Sequence, residues 1–119
     1  MDKFIITTAK EEHLGYVPDI EAAILYASKV KGTGIAKRSK EYIAEKIIQG
    51  KAVIATHKDG SFAGFCYVET WGHEKFVANS GLIVVEKYRG RKLAYKIKTE
   101  TFRLSRKLFP AAKIFGLTT

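Results

Sequence analysis

Only one cysteine, Cys66, occurs among the 119 residues. No internal disulfide can form and no cysteine cluster can hold a metal, which excludes a disulfide-stapled secreted scaffold and a zinc-finger type of module. Prolines number two, and no tract rich in Pro, Gly or Ser divides the chain, so a single domain over 1–119 is expected. Long apolar runs are missing as well. Met1-Asp2-Lys3 is followed only by Phe4-Ile5-Ile6 before polar residues resume, too short for the apolar part of a secretory signal. No later run approaches bilayer-spanning length, so the reading is a cytoplasmic protein without a membrane partner. There is no Gly-x-Ser-x-Gly to present a nucleophilic serine, and Cys66 alternates with Gly64 and Val68 as a small core residue would. A covalent acyl-enzyme is therefore not expected. His13 and His57 stand apart from carboxylates at metal-ligand spacing, so no metal site is expected either.

Acidic residues are scarce too. Twelve Asp and Glu against 21 Lys and Arg give a formal charge of +9, which favours an anionic partner. The excess is concentrated: residues 87–107 hold Lys87, Arg89, Arg91, Lys92, Lys96, Lys98, Arg103, Arg106 and Lys107 against Glu100. This stretch begins where an apolar segment, Gly81-Leu82-Ile83-Val84-Val85, gives way to a basic turn and then to helical spacing. The backbone N–H groups that open a helix have no partners within it, and the positive end of the helix dipole favours an anion. A site for a phosphate-bearing cofactor is expected here.

Around it the pattern predicts alternating elements. Lys3–Thr8 reads as a strand, and Pro18-Asp19 begins a helix carrying Ile20, Ala23, Ile24 and Ala27, which Gly32 and Gly34 break. Ser39 caps a second helix with Ile43, Ile47 and Ile48, ended by Gly50. Ala52–Thr56 and Phe62–Thr70 form an antiparallel pair through the turn Lys58-Asp59-Gly60. A further strand covers Lys75–Val85, with a bulge or bend at Asn79-Ser80-Gly81. Leu93, Ile97, Leu104 and Leu108 then share one helical face until Pro110 stops the helix, and Lys113–Thr118 reads as a last strand.

The segment Arg89-Gly90-Arg91-Lys92-Leu93-Ala94, after Leu82-Ile83-Val84, resembles the acetyl-CoA signature of the GNAT superfamily of N-acetyltransferases, Arg/Gln-x-x-Gly-x-Gly/Ala after a strand of the form Leu-x-Val. Lys92 replaces one glycine of that pattern, and its N–H is expected to remain available in ordinary helical geometry. The element order is the order of that superfamily through its fifth strand, so the resemblance covers nearly the whole chain. It implies an α/β (α+β) fold, a mixed and mostly antiparallel sheet flanked by helices. It also implies that the fourth and fifth strands are parallel neighbours that splay apart. The pantetheine arm of acetyl-CoA would then pair with Ile83, Val84 and Val85, and Arg89, Gly90, Arg91, Lys92, Leu93 and Ala94 would hold the pyrophosphate. An N–H of Ile83 or Val84 would serve as the oxyanion donor. Superfamily members normally continue into another helix and two more strands, and that helix often carries a tyrosine that protonates the departing thiolate. This sequence stops before them, so an uncovered final strand and a homo-oligomer are expected.

Transfer of an acetyl group to an amine needs a base, an oxyanion donor and protonation of the thiolate. Strand alternation puts Glu69 on one face with Phe65, Tyr67 and Trp71, where an apolar setting raises a carboxyl pKa, so Glu69 is the candidate base. Near a strand end it would equally be solvated or ion-paired. His73 and Glu74 in the following loop are candidates for a relay. Lys29, Lys31, Lys37 and Arg38 favour an acceptor bearing a carboxylate, such as an acidic amino acid, or else serve as solubilising charge. The reading is an acyltransferase moving acetyl from acetyl-CoA to a small amine. Two others stay open: a non-catalytic CoA-binding or regulatory module, and a nucleic-acid-binding protein, suggested by the charge with Tyr88 and Tyr95 among the basic residues. The last is disfavoured because the basic residues follow the cofactor motif and no nucleic-acid module is recognisable.

Overall fold

Alternation along one strand decides the architecture. In β3 (Phe62–Trp71), Phe65 and Tyr67 point to one side while Cys66 and Val68 point to the other, and all four are buried. A sheet buried on both faces must be covered on both. A computed structural model describes residues 4–29, 38–90 and 92–116 and shows how. On one side lie α1 (Val17–Lys29) and α2 (Lys40–Ile48), whose Ile20, Ile24, Ile43 and Ile47 pack with Ile54, Phe65, Tyr67 and Ile83. On the other lies α3 (Leu93–Leu108), whose Leu93, Ile97 and Leu104 pack with Val53, Cys66, Val68 and Val77.

The sheet has the order β1-β2-β3-β4-β5, with β1 at Phe4–Thr8, β2 at Ala52–His57, β4 at Phe76–Val84 and β5 at Lys113–Gly116. All pairs are antiparallel except β4–β5, where Phe76 to Asn79 run parallel to Lys113 to Gly116. This is the expected mixed sheet in the expected order. The Ser39 hydroxyl accepts the Tyr42 N–H at 3.1 Å and caps α2, and Gly60 takes φ +94° in the β2–β3 turn. Burial pushes the Cys66 thiol up to about 11, in keeping with a core residue. No helix of the described residues is long and apolar enough to cross a membrane.

Two expectations need correction. A 3-10 helix over Glu11–Tyr16 precedes α1, which starts at Val17, so Pro18 is its second residue. Leu108 is 37% exposed, and the buried face of α3 is completed instead by Thr101 and Ser105. Each of these hydroxyls is satisfied: Thr101 donates to the Ile97 carbonyl at 2.7 Å and Ser105 to Asn79 Oδ1 at 2.6 Å. The last strand is described to Gly116. The break at Gly32 and Gly34 and the end of the last strand, Leu117-Thr118, lie outside the described residues.

The bulge in β4 has the largest structural effect. Tyr67 stands opposite Ser80 but Phe65 opposite Ile83, so β4 carries one residue more than β3 between these pairs. Side chains change sides across it: Val77 and Asn79 face α3 before the bulge, whereas Leu82 and Val84 face α3 after it and Ile83 faces α1 and α2. The backbone follows. Lys75 C=O accepts from Lys113 N–H at 3.0 Å, so odd-numbered residues turn their backbone groups towards β5 up to Asn79. Past the bulge Val85 N–H donates to Ala63 C=O at 2.9 Å, so odd-numbered residues now turn towards β3. Val84 consequently turns its N–H and C=O away from β3.

Candidate functional site

Val84 C=O, turned outward, accepts from Arg89 Nε at 3.3 Å. Between these two residues a short 3-10 helix, Glu86–Tyr88, ends on the buried ring of Tyr88. This ring stacks on His57 with centroids 5.4 Å apart, meets Phe4 edge-on at 5.0 Å and shares a hydrogen bond of 2.9 Å with Ser61. Hydrogen bonds from the Ser61 hydroxyl and backbone hold the Asp59 carboxyl down at about 2, so the β2–β3 turn that anchors Tyr88 keeps its charge at neutral and mildly acid pH. The sequence alone does not reveal this role for Tyr88, because its partners lie 27 or more residues away.

After the anchor the chain turns sharply. Gly90 takes φ +81° with open space beside it, and Lys92 takes φ +59° as the N-cap of α3. The expected ordinary helical geometry at Lys92 is therefore wrong: the residue is left-handed, since the chain has to reverse direction to enter the helix. The first bond of α3 runs from Lys96 N–H to Lys92 C=O at 3.1 Å, and the N–H groups of Leu93, Ala94 and Tyr95 precede it. They open on a groove of about 350 Å³ bounded by Tyr88, Arg89, Gly90, Lys92 and Tyr95. Backbone donors, a helix N-terminus and two cations suit a pyrophosphate.

A left-handed lysine costs roughly 1–2 kcal/mol, while a glycine costs about 0.4–1 kcal/mol more in unfolded-chain entropy. Lys92→Gly should therefore stabilise the protein by about 0.5–1 kcal/mol in denaturant unfolding. Lys92→Ala, which keeps the Cβ, should leave stability unchanged. A less stable glycine variant would contradict the assigned conformation.

A second groove of about 310 Å³ lies between α1 and the end of β4, bounded by Ala22, Ala23, Tyr26 and Ala27 on one side and Ile83, Val84, Val85 and Glu86 on the other. It is mainly apolar and adjoins the first, since both include Val84 and Arg89. Together they suit a ligand with a polyphosphate at one end and a slender arm at the other. Ile83, Val84, Val85, Arg89, Gly90, Lys92, Leu93 and Ala94 all border these grooves, and Arg91 lies outside the described residues.

Glu69 lies towards the end of β3, not in an apolar setting. Its Oε1 accepts from Arg38 Nη2 at 3.3 Å, with the side chains 27% (Arg38) and 34% (Glu69) exposed. His73 sits in the exposed β3–β4 turn at φ +57°, beyond the Trp71–Phe76 pair, and no hydrogen bond or ion pair among the described residues joins it to Glu69. Arg38 also donates through Nε to Tyr67 Oη at 2.9 Å. Nothing in sequence spacing links Arg38 to residues 29 and 31 positions away.

No protein-family model matches the sequence, and no curated protein matches it in sequence. Solved structures do. An acetyltransferase of the GNAT family from Staphylococcus aureus Mu50 matches with a TM-score of 0.71 at 15% identity, over 97% of this chain and 73% of its own. This chain has the GNAT fold. The same GNAT architecture relates it to N-acetylglutamate synthase from Neisseria gonorrhoeae, complexed with coenzyme A and N-acetyl-glutamate, with a TM-score of 0.78 at 22% identity over 100% of this chain. Rv2747 from Mycobacterium tuberculosis, in complex with CoA, gives a TM-score of 0.75 at 17% identity over 96% of this chain. The chain spans 26% of the length of the synthase and 64% of that of Rv2747. At these identities the likeness concerns the fold.

Proposed function

We propose that this GNAT domain is an acyl-CoA-dependent N-acyltransferase that moves acetyl from acetyl-CoA to a primary amine of a small molecule by direct transfer. The observation that carries this reading is the junction of the phosphate-suited groove and the apolar groove at Val84 and Arg89. Arg89, Gly90, Lys92 and the N–H groups of Leu93 and Ala94 hold the pyrophosphate, with Arg91 assigned to the same loop. Ile83, Val84 and Val85 line the pantetheine arm. Of the two oxyanion-donor candidates we choose Val84, because the register turns Ile83 towards β3 and Val84 away from it. Complexes with CoA and small amino-acid ligands among the structural neighbours support the reading.

Acetyl-CoA supplies the acyl group as a thioester: the amine nitrogen bonds to the acyl carbon, the C–S bond breaks, and the proton lost by the amine balances the charge left on the thiolate. We assign that proton's first acceptor to Glu69 alone, since no hydrogen bond or ion pair among the described residues links His73 to it.

Calorimetric titration with acetyl-CoA, followed by a thiol-release assay over a panel of primary amines, tests this. Saturable binding and amine-dependent thiol release are expected. Folded protein that does not bind acetyl-CoA would end the proposal, and binding without turnover on any amine would leave a CoA-binding module. Light scattering in the same buffer tests the expected homo-oligomer.

A further inference from the structure

Five side chains outside the two grooves meet beside the β4 bulge: Arg38 from the residue before the Ser39 cap, Tyr42 and Lys46 from α2, and Tyr67 and Glu69 from β3. The Arg38 guanidinium lies 5.0 Å from the centre of the Tyr42 ring. Lys46 Nζ lies 5.5 Å from the Tyr42 ring and 5.6 Å from the Tyr67 ring, and donates to the Val68 carbonyl at 2.7 Å. The two rings meet edge to face at 5.6 Å. The cluster thus holds two cations and one carboxylate against aromatic walls, with one positive charge in excess. Burial lowers the Lys46 pKa, and Glu69 is the main charge opposing that shift. As a structural device the arrangement is weak: a partly exposed ion pair contributes little, and the second cation is half-desolvated without its own carboxylate.

Its position gives it another use. The Tyr67 ring packs directly against Gly81, just before Ile83 and Val84 enter the apolar groove. Glu69, the proposed base, is in the cluster, so whatever binds there reaches the base and the end of the groove together.

We propose that this cluster binds the acceptor, and that the acceptor is an amino dicarboxylic acid, its carboxylates held by Arg38 and Lys46 and its amine presented to Glu69. The inference rests on the acyltransferase reading above and adds the substrate class to it. A net charge of minus one on such an acceptor neutralises the excess in the cluster. Arg38 suits a carboxylate because its planar fork offers parallel donors, and the bound carboxylate takes a share of the guanidinium from Glu69 as the amine arrives.

The probes are L-glutamate, L-glutamine and L-glutaminamide, a nearly isosteric series with two, one and no carboxylates. Each is measured by thiol release with acetyl-CoA and by calorimetric binding with and without CoA, on the unaltered chain, Arg38→Gln and Arg38→Lys. On the unaltered chain kcat/KM should fall roughly tenfold or more with each carboxylate removed. In Arg38→Gln the ratio of glutamate to glutaminamide should fall by roughly tenfold or more, Lys46 keeping the remainder, and Arg38→Lys should restore part of the loss. Using the ratio cancels any general damage to the fold. The proposal is overturned if the unaltered chain treats the three alike, if Arg38→Gln keeps the ratio, or if L-glutamate neither turns over nor binds. A chain that acetylates uncharged amines equally well refutes this inference and keeps the acyltransferase reading. Arg38-dependent glutamate binding in a chain that does not bind acetyl-CoA does the reverse.

Discussion

Gly81→Ala is expected to destabilise the protein by about 2–5 kcal/mol and to abolish acetyl-CoA binding. Two costs add at this position. Gly81 has φ +66°, where an L side chain loses roughly 1–2 kcal/mol, and a Cβ built there overlaps the Tyr67 ring. The ring has no room to swing aside: Tyr67 is 2% exposed, its hydroxyl is held by Arg38, and Tyr42 meets it edge-on. Forcing an extra methyl into such packing costs about 1–3 kcal/mol more. The functional loss follows from register, since relief by squeezing out the bulge would turn Val84 back towards β3 and out of the groove. Urea unfolding and calorimetry check both effects. A loss under about 1 kcal/mol with unchanged binding would contradict the account. In the double variant with Tyr67→Leu the overlap should be relieved while the φ cost persists.

Glu69→Gln should produce the largest kinetic effect, a fall in kcat/KM of roughly a hundredfold or more with acetyl-CoA affinity unchanged. Glutamine has the same shape and still offers an oxygen to Arg38 Nη2, so the contact between α2 and β3 survives. What it lacks is the ability to take a proton from the amine. Stability should change by no more than about 1 kcal/mol, because the ion pair is partly exposed. Steady-state thiol release separates these effects, and kcat/KM within threefold of the unaltered chain would remove Glu69 from the mechanism.

The parts of this fold that local chemistry dictates are readable in the chain. Ser39 announces a cap, Gly60 a hairpin, and Asn79-Ser80-Gly81 an interruption in an otherwise apolar strand, and each is found there. The loop proposed to hold the cofactor shows in the chain as apolar strand, basic turn and helical period following one another without a gap. The 3-10 helix over Glu11–Tyr16 is too short to show a period. The left-handed Lys92 carries no sign of its conformation, since only its neighbours force it. Thr101 and Ser105 look like surface residues until Asn79 is seen opposite Ser105. The cluster around Arg38 and Glu69 is the least legible part: it exists only where the segment at α2 meets β3, and Glu69, placed by alternation on an apolar face, shares that face with Arg38 from a distant segment.

β4 is best regarded as two strands in opposite phase, spliced at Gly81. Length within this segment is therefore information in its own right. Removing Gly81 would take out the extra residue that the bulge accommodates, so Leu82 and Val84 would still face α3 and Ile83 would still face α1 and α2, while the bend in the strand would be lost. Losing the bulge at full length would do the reverse, exchanging the faces of Leu82, Ile83 and Val84 without altering a single residue, so a deletion of one residue here would disturb the downstream packing less than a substitution that expels the bulge.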